Sequence, residues 1–192
     1  FTLLPEFSPR PILCDNNLSA LPVEYQDFII EKYQKSGVEL RDANSGFEPL
    51  TFDAGTYQRW KPILRGPWRF AFDTTSEEPQ VKRMMEILKN ESPKRKQVYV
   101  LIGNELIAAC HERAQKVIEW GGEPYIQPVM PLNALNRDEL KIAYDWTYQK
   151  LKDMQRYYNR HLWRYFPLSD YSNRKGEIPP FKTLARSAAY EL

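Results

Sequence analysis

Five short polar runs carry the residue types that bind small polar ligands: Asp15-Asn16-Asn17, Asp42-Ala43-Asn44, Asp73-Thr74-Thr75, Gly103-Asn104-Glu105, and Gln127 with Asn133. Carboxylates and carboxamides in combination can hold ribose hydroxyls, amino groups or a metal-bound water. Four of the five runs set an Asp or Glu beside an Asn or Thr. The same residue types also favour helix N-caps and turns, so any one run reads equally well as a cap. Each run follows an apolar stretch, and it is that shared position that makes them a candidate site.

The elements that must place these residues follow from periodicity. Arg10–Cys14 is a short apolar run, and Val23–Lys35 carries a helical stripe of Tyr25, Phe28, Ile29 and Tyr33 that Gly37 ends. Val38–Arg41 reads as a weak strand. Thr51 or Asp53 is placed to cap a helix bearing Tyr57, Trp60 and Leu64. Trp68–Phe72 is strand-like, and Ser76-Glu77-Glu78 opens a helix with Val81, Met84, Met85 and Leu88 inward. Gln97–Ile102 is the strongest strand, and its near-continuous apolar character predicts burial on both faces. Leu106–Trp120 reads as a helix that Gly121-Gly122 ends. In Tyr125–Met130, Pro128 predicts a bulge or an edge strand. Arg137–Trp163 reads as one long aromatic-rich helix.

Strict β/α alternation predicts a parallel sheet. No G-x-G-x-x-G or P-loop run is present to support a dinucleotide-binding sheet. The expected architecture is therefore α/β, an incomplete parallel (β/α) barrel of about five βα units. It is expected to span residues 1–166 as a single domain, followed by a C-terminal tail at 167–192. Parallel α/β folds gather ligands at the carboxyl ends of their strands, where all five polar runs would stand.

Composition narrows the function classes. The chain has 192 residues, 27 Lys and Arg against 25 Asp and Glu, and a formal charge of +2, so a basic nucleic-acid arm and an acidic tail are excluded. No apolar run approaches the ~20 residues that span a bilayer, which predicts a soluble, cytoplasmic protein. The two cysteines, Cys14 and Cys110, are too few for a disulfide scaffold or an all-cysteine metal site. His111 neighbours Cys110 on one helix, where adjacent residues diverge, so the two do not make a nucleophile pair. His161 lies among Arg156, Arg160, Arg164, Trp163 and Tyr165. That segment reads as packed aromatics with an arginine rim rather than as a nucleic-acid surface.

The segment Pro11-Ile12-Leu13-Cys14-Asp15-Asn16-Asn17-Leu18-Ser19-Ala20 resembles the second strand of radical S-adenosylmethionine proteins. Arg69–Asp73 resembles their fourth strand, Val98–Gly103 their fifth, and Ile126–Asn133 their sixth. Tyr158-Asn159-Arg160 and Trp163-Arg164-Tyr165 resemble the end of a small, mobile-element-associated branch of that family. The likeness runs in order from about Pro11 to Tyr171. It implies a partial barrel of which this chain supplies the second to sixth units, and S-adenosylmethionine as ligand. It further implies that Gly103, Asn104 and Glu105 face the adenine side and that Gln127 to Met130 meet the adenine ring. Asp15, Asn16, Asn17 and Asp73 would then face the ribose, the methionine moiety or a substrate; Asn44 joins the candidate ligand-binding set only as a strand-end residue.

The family holds a [4Fe–4S] cluster on three cysteines in a C-x-x-x-C-x-x-C loop, and Cys14 and Cys110 have no such spacing. The expectation is thus a cluster-less chain without radical chemistry that keeps an adenosyl-type pocket. The alternative is a non-catalytic scaffold. An unpaired sheet edge at Pro11–Cys14 would favour a homodimer or other oligomer that shields it.

Overall fold

The computed structural model describes residues 4–14, 17–44, 46–136 and 139–171. The elements run β1 (Ile12–Leu13), α1 (Val23–Ser36), β2 (Asp42–Ala43), α2 (Ala54–Trp60), β3 (Trp68–Phe72), α3 (Glu78–Ile87), β4 (Lys96–Ile102), α4 (Ile107–Glu119), β5 (Glu123–Pro128) and α5 (Tyr148–Asn159). The fold is α/β and every strand pairing is parallel. No described helix is long and apolar enough to cross a membrane.

The expected barrel is not what forms. The strands make two small sheets, β1-β2 and β3-β4-β5. The reason lies in the second unit. Val38–Arg41 does not pair as a strand; only Leu40 makes an isolated bridge, to Leu64, and pairing proper is confined to Asp42–Ala43 opposite Ile12–Leu13. Two-residue strands cannot propagate a continuous ladder. The sheets are joined by that bridge, by the bonds from Arg65 N–H to Leu40 O (2.8 Å) and from Phe47 N–H to Arg69 O (2.8 Å), and by an ion pair between Arg69 and Asp42.

The three-stranded sheet has two unlike faces. On one, Trp68, Phe70, Phe72, Val98, Val100, Ile102 and Ile126 are buried, with α4 packed on β4 and β5 and α5 on β5. On the other, Arg69, Ala71, Gln97, Tyr99 and Leu101 are half-buried while Tyr125 and Gln127 are exposed. The expectation that β4 is buried on both faces is therefore corrected to strict alternation, the pattern of a sheet with one open face. β5 stands at the sheet edge, as Pro128 requires, because a proline cannot donate to a ladder.

Aromatic residues fill the space between α2 and β3. Phe47 packs against Trp60, Trp68 and Phe70, and Phe52 sits edge-on to Phe70 at 4.9 Å. Asp53 caps α2 by accepting from Thr56 N–H at 2.6 Å. Gly37, in the left-handed region at φ 69°, closes α1.

The expected long helix over Arg137–Trp163 is also corrected: α5 begins only at Tyr148, capped by Thr147. Upstream, Tyr144 sits at a positive φ of 57°. There Trp146 donates to Glu105 O at 2.7 Å, and Asp145 accepts from Ile107 N–H at 2.9 Å. These residues anchor a loop across the start of α4, whose first backbone N–H groups lack partners within the helix. Of the expected tail, Leu168–Asp170 forms one 3-10 turn, and residues 172–192 lie outside the described set.

Candidate functional site

A cleft of about 740 Å³ opens at the carboxyl ends of the strands, on the open face of the larger sheet. Its walls come from both sheets. Asn17 and Asn44 stand just beyond β1 and β2; Asp73 ends β3 and Gln127 lies late in β5. Ala71 and Leu101 from the open face give it apolar surface, the turn Glu48-Pro49-Leu50 forms its lip, and the buried Phe47 and Phe70 lie behind it. Arg83, on α3, fixes that lip by donating to Pro49 O at 3.1 Å and Leu50 O at 2.9 Å.

The structure brings together four of the residues that the sequence singles out: Asn17, Asn44, Asp73 and Gln127. Others do not line the cleft. Gly103 is buried behind it, and Met130 lies past the end of β5. Asn104 turns to donate to Asp73 O at 2.5 Å, and Glu105 accepts from Thr75 N–H at 3.2 Å. Asp15 and Asn16 lie outside the described residues.

Sequence reasoning passes over Arg69, Tyr99, Glu48, Glu77 and Gln80. The signal for the first two is alternation, since Arg69 and Tyr99 fall on the strand positions between buried neighbours. Arg69 forms a two-point ion pair with Asp42 across the seam between the sheets, Nε to Oδ1 at 2.8 Å and Nη2 to Oδ2 at 2.9 Å. It also donates to Gln97 and to the Tyr99 hydroxyl. Burial disfavours the guanidinium charge, but the Asp42 hydrogen bonds and Tyr99 outweigh it and hold Arg69 above its ordinary value.

The cleft is rich in acceptors. Glu48, Asp73 and Glu77 line it, while the one cation among its described lining residues, Arg69, is already neutralised by Asp42. Asn17 donates to Glu48 at 2.9 Å, and Glu77 is occupied in a capping box with Thr74, accepting from Thr74 N–H at 3.3 Å and also from Asp73 N–H at 2.6 Å. The Asp73 carboxylate receives no hydrogen bond from a described residue. Burial, and then the Glu77 charge, raise its pKa against the pull of Arg113. Gln80 keeps a buried carbonyl oxygen without a donor among the described residues. Such a site suits a ligand that donates hydrogen bonds and carries no net negative charge.

Among the described residues no group of three His, Cys, Asp or Glu is placed to hold a metal ion. Cys14 is exposed and Cys110 fully buried on α4. These two thiols do not fit a [4Fe–4S] cluster, which needs several converging thiolates. No protein-family model, curated protein or solved structure matches the chain.

Proposed function

We propose that this cleft binds a phosphate-free adenosyl-type small molecule, and that the chain is the ligand-binding part of a protein related to the radical S-adenosylmethionine family. One observation carries the reading: Asn17, Asn44, Asp73 and Gln127, far apart in sequence, converge on a single cleft at the carboxyl ends of parallel strands. Its volume falls within the range of small-molecule sites, and its lining mixes apolar surface with a few polar groups. Leu50, Ala71 and Leu101 supply apolar surface for a base. Asp73, with Asn17, Asn44 and Gln127, supplies acceptors and carboxamides for hydroxyl and amino groups. When bound, S-adenosylmethionine would bring a sulfonium and an amino group, both compatible with three lining carboxylates. A phosphate would meet those carboxylates with no free cation to receive it. The reading is one of binding, and no step through an iron–sulfur cluster is derived.

Calorimetric titration of S-adenosylmethionine and S-adenosylhomocysteine, with adenosine monophosphate as the phosphorylated control, tests this. Saturable binding of the first two, weakened tenfold or more in Asp73→Ala and absent for the monophosphate, is expected. No heat and no thermal shift at saturating ligand would overturn it.

A further inference from the structure

Beneath the cleft lies a charged side chain that lines no part of it. Arg113, on α4, is 1% exposed, among the most deeply buried large side chains in the protein. Its Nη1 donates to Phe72 O, the carbonyl immediately before Asp73. Its Nη2 reaches Leu101 O at 2.7 Å, Asn104 Oδ1 at 3.3 Å and Cys110 Sγ at 3.3 Å. Its Nε stands 3.0 Å from Glu105 Oε2 in an ion pair, and the guanidinium lies over the Phe72 ring at 5.6 Å. One planar cation thus ties the end of β3, the end of β4 and the turn after it to a single helix. Asn104 completes the lock by donating to Asp73 O, and Glu105 extends it to Thr75.

A buried arginine is costly unless its donors are satisfied. Here two of its acceptors are backbone carbonyls at the ends of β3 and β4, and the Glu105 carboxylate offsets its charge, so the side chain fixes that rim. We propose that Arg113 is a positioning residue of the cleft: by locking the ends of β3 and β4 together it makes Asp73 present an unpartnered carboxylate to the ligand. The charged groups acting on Asp73 are Glu77 from the turn after β3 and Arg113 from α4, which is itself paired with Glu105 from the turn after β4. Of these, Arg113 alone is positive. Lysine carries the same charge but not the planar fork, and cannot serve carbonyls on two strands at once.

The inference rests on the ligand-binding reading of the cleft, and its test separates the two. The Asp73 carboxyl resonance, assigned with Asp73→Asn, is followed by carbon NMR against pH in the ligand-free chain, and affinity for S-adenosylhomocysteine is measured alongside. Arg113→Met is expected to raise the Asp73 titration midpoint and to weaken binding at least tenfold. Arg113→Lys is expected to keep the midpoint near that of the parent chain while weakening binding several-fold. An unmoved midpoint in Arg113→Met overturns the proposal. If that variant fails to fold, parent-level affinity in Arg113→Lys overturns it instead. Should the parent chain bind nothing, the binding function falls, while the midpoints still decide whether Arg113 governs Asp73.

Discussion

The carboxamide of Asn159 pairs with the backbone of Ile126 at both ends, Oδ1 accepting from Ile126 N–H at 2.7 Å and Nδ2 donating to Ile126 O at 3.0 Å. The last residue of α5 thereby imitates a neighbouring strand along the open side of β5. Sheet edges with free N–H and C=O groups invite pairing with other chains, and a polar plug of this kind blocks it.

Replacing Asn159 with Ala should therefore destabilise the chain by about 2 kcal/mol, since two hydrogen bonds to a fully buried residue are lost. Urea denaturation checks the magnitude. Sedimentation velocity checks whether the opened edge now self-associates.

Asp73 should prove harmful to stability although it serves the cleft. Its carboxyl is raised above the ordinary value, so the folded chain holds that proton more tightly than the unfolded chain does. The matching stability is complete below pH ~4 and is lost as pH rises through the folded value. Asp73→Asn should accordingly melt higher than the parent at pH 7 and equal to it near pH 3, while ligand binding falls. A lower melting temperature at pH 7 would contradict this.

His111 works in the other direction. Burial lowers its pKa below 6.5, and its Nδ1 meets the Tyr158 hydroxyl at 2.8 Å. The fold resists protonating the ring, so stability is present above pH ~6.5 and is lost as pH falls toward the lower folded value. His111→Gln should flatten the melting curve between pH 7.5 and about pH 5. Thermal scans across that window provide the comparison.

Gly46 sits at φ 74° between the cleft residue Asn44 and Phe47, and a Cβ there would lie 2.5 Å from Arg69 O. Gly46→Ala should cost about 1–3 kcal/mol from the left-handed backbone alone. It should also loosen the bond from Phe47 N–H to Arg69 O that helps join the sheets. Amide exchange at Phe47 would report that loosening directly.

The thiols offer a simple check on the packing of the first and fourth units. Cys14 is exposed and Cys110 is completely buried. An aromatic disulfide reagent should titrate one thiol in the native chain and the second only on unfolding. Rapid reaction of both would show that α4 does not pack on β4 as described.

Much of the fold was readable where local signals and tertiary demands coincide. The α1 stripe with Gly37, the Asp53 cap, and the strands at Trp68–Phe72 and Gln97–Ile102 all fall where periodicity puts them. The failures share a cause. Val38–Arg41 alternates like a strand, yet it yields only the bridge at Leu40 and one bond from Arg41 N–H to Pro11 O, because pairing is a property of two segments and only one is visible at a time. The aromatics after Arg137 fit a helical period, but Trp146 is spent anchoring a loop to Glu105 O. In the cleft, Asn17, Asn44, Asp73 and Gln127 were legible because strand ends face one way. Arg69 was not, since its partner Asp42 lies on the other sheet. Asn104 and Glu105 were misread for a related reason. Their bonds to Asp73 O and Arg113 draw them beneath the rim, and nothing local announces a buried arginine on a later helix.

The Leu40–Leu64 bridge has one more effect. Together with the Arg69–Asp42 ion pair and the Phe47 bond to Arg69, it is the spine that sets the distance between the Asn17–Asn44 wall and the Asp73–Gln127 wall. Leu40 and Leu64, both essentially without solvent exposure, set that spine although neither touches the cleft. Trimming either side chain should therefore change the width of the cleft, so its breadth is written in residues that lie outside its lining.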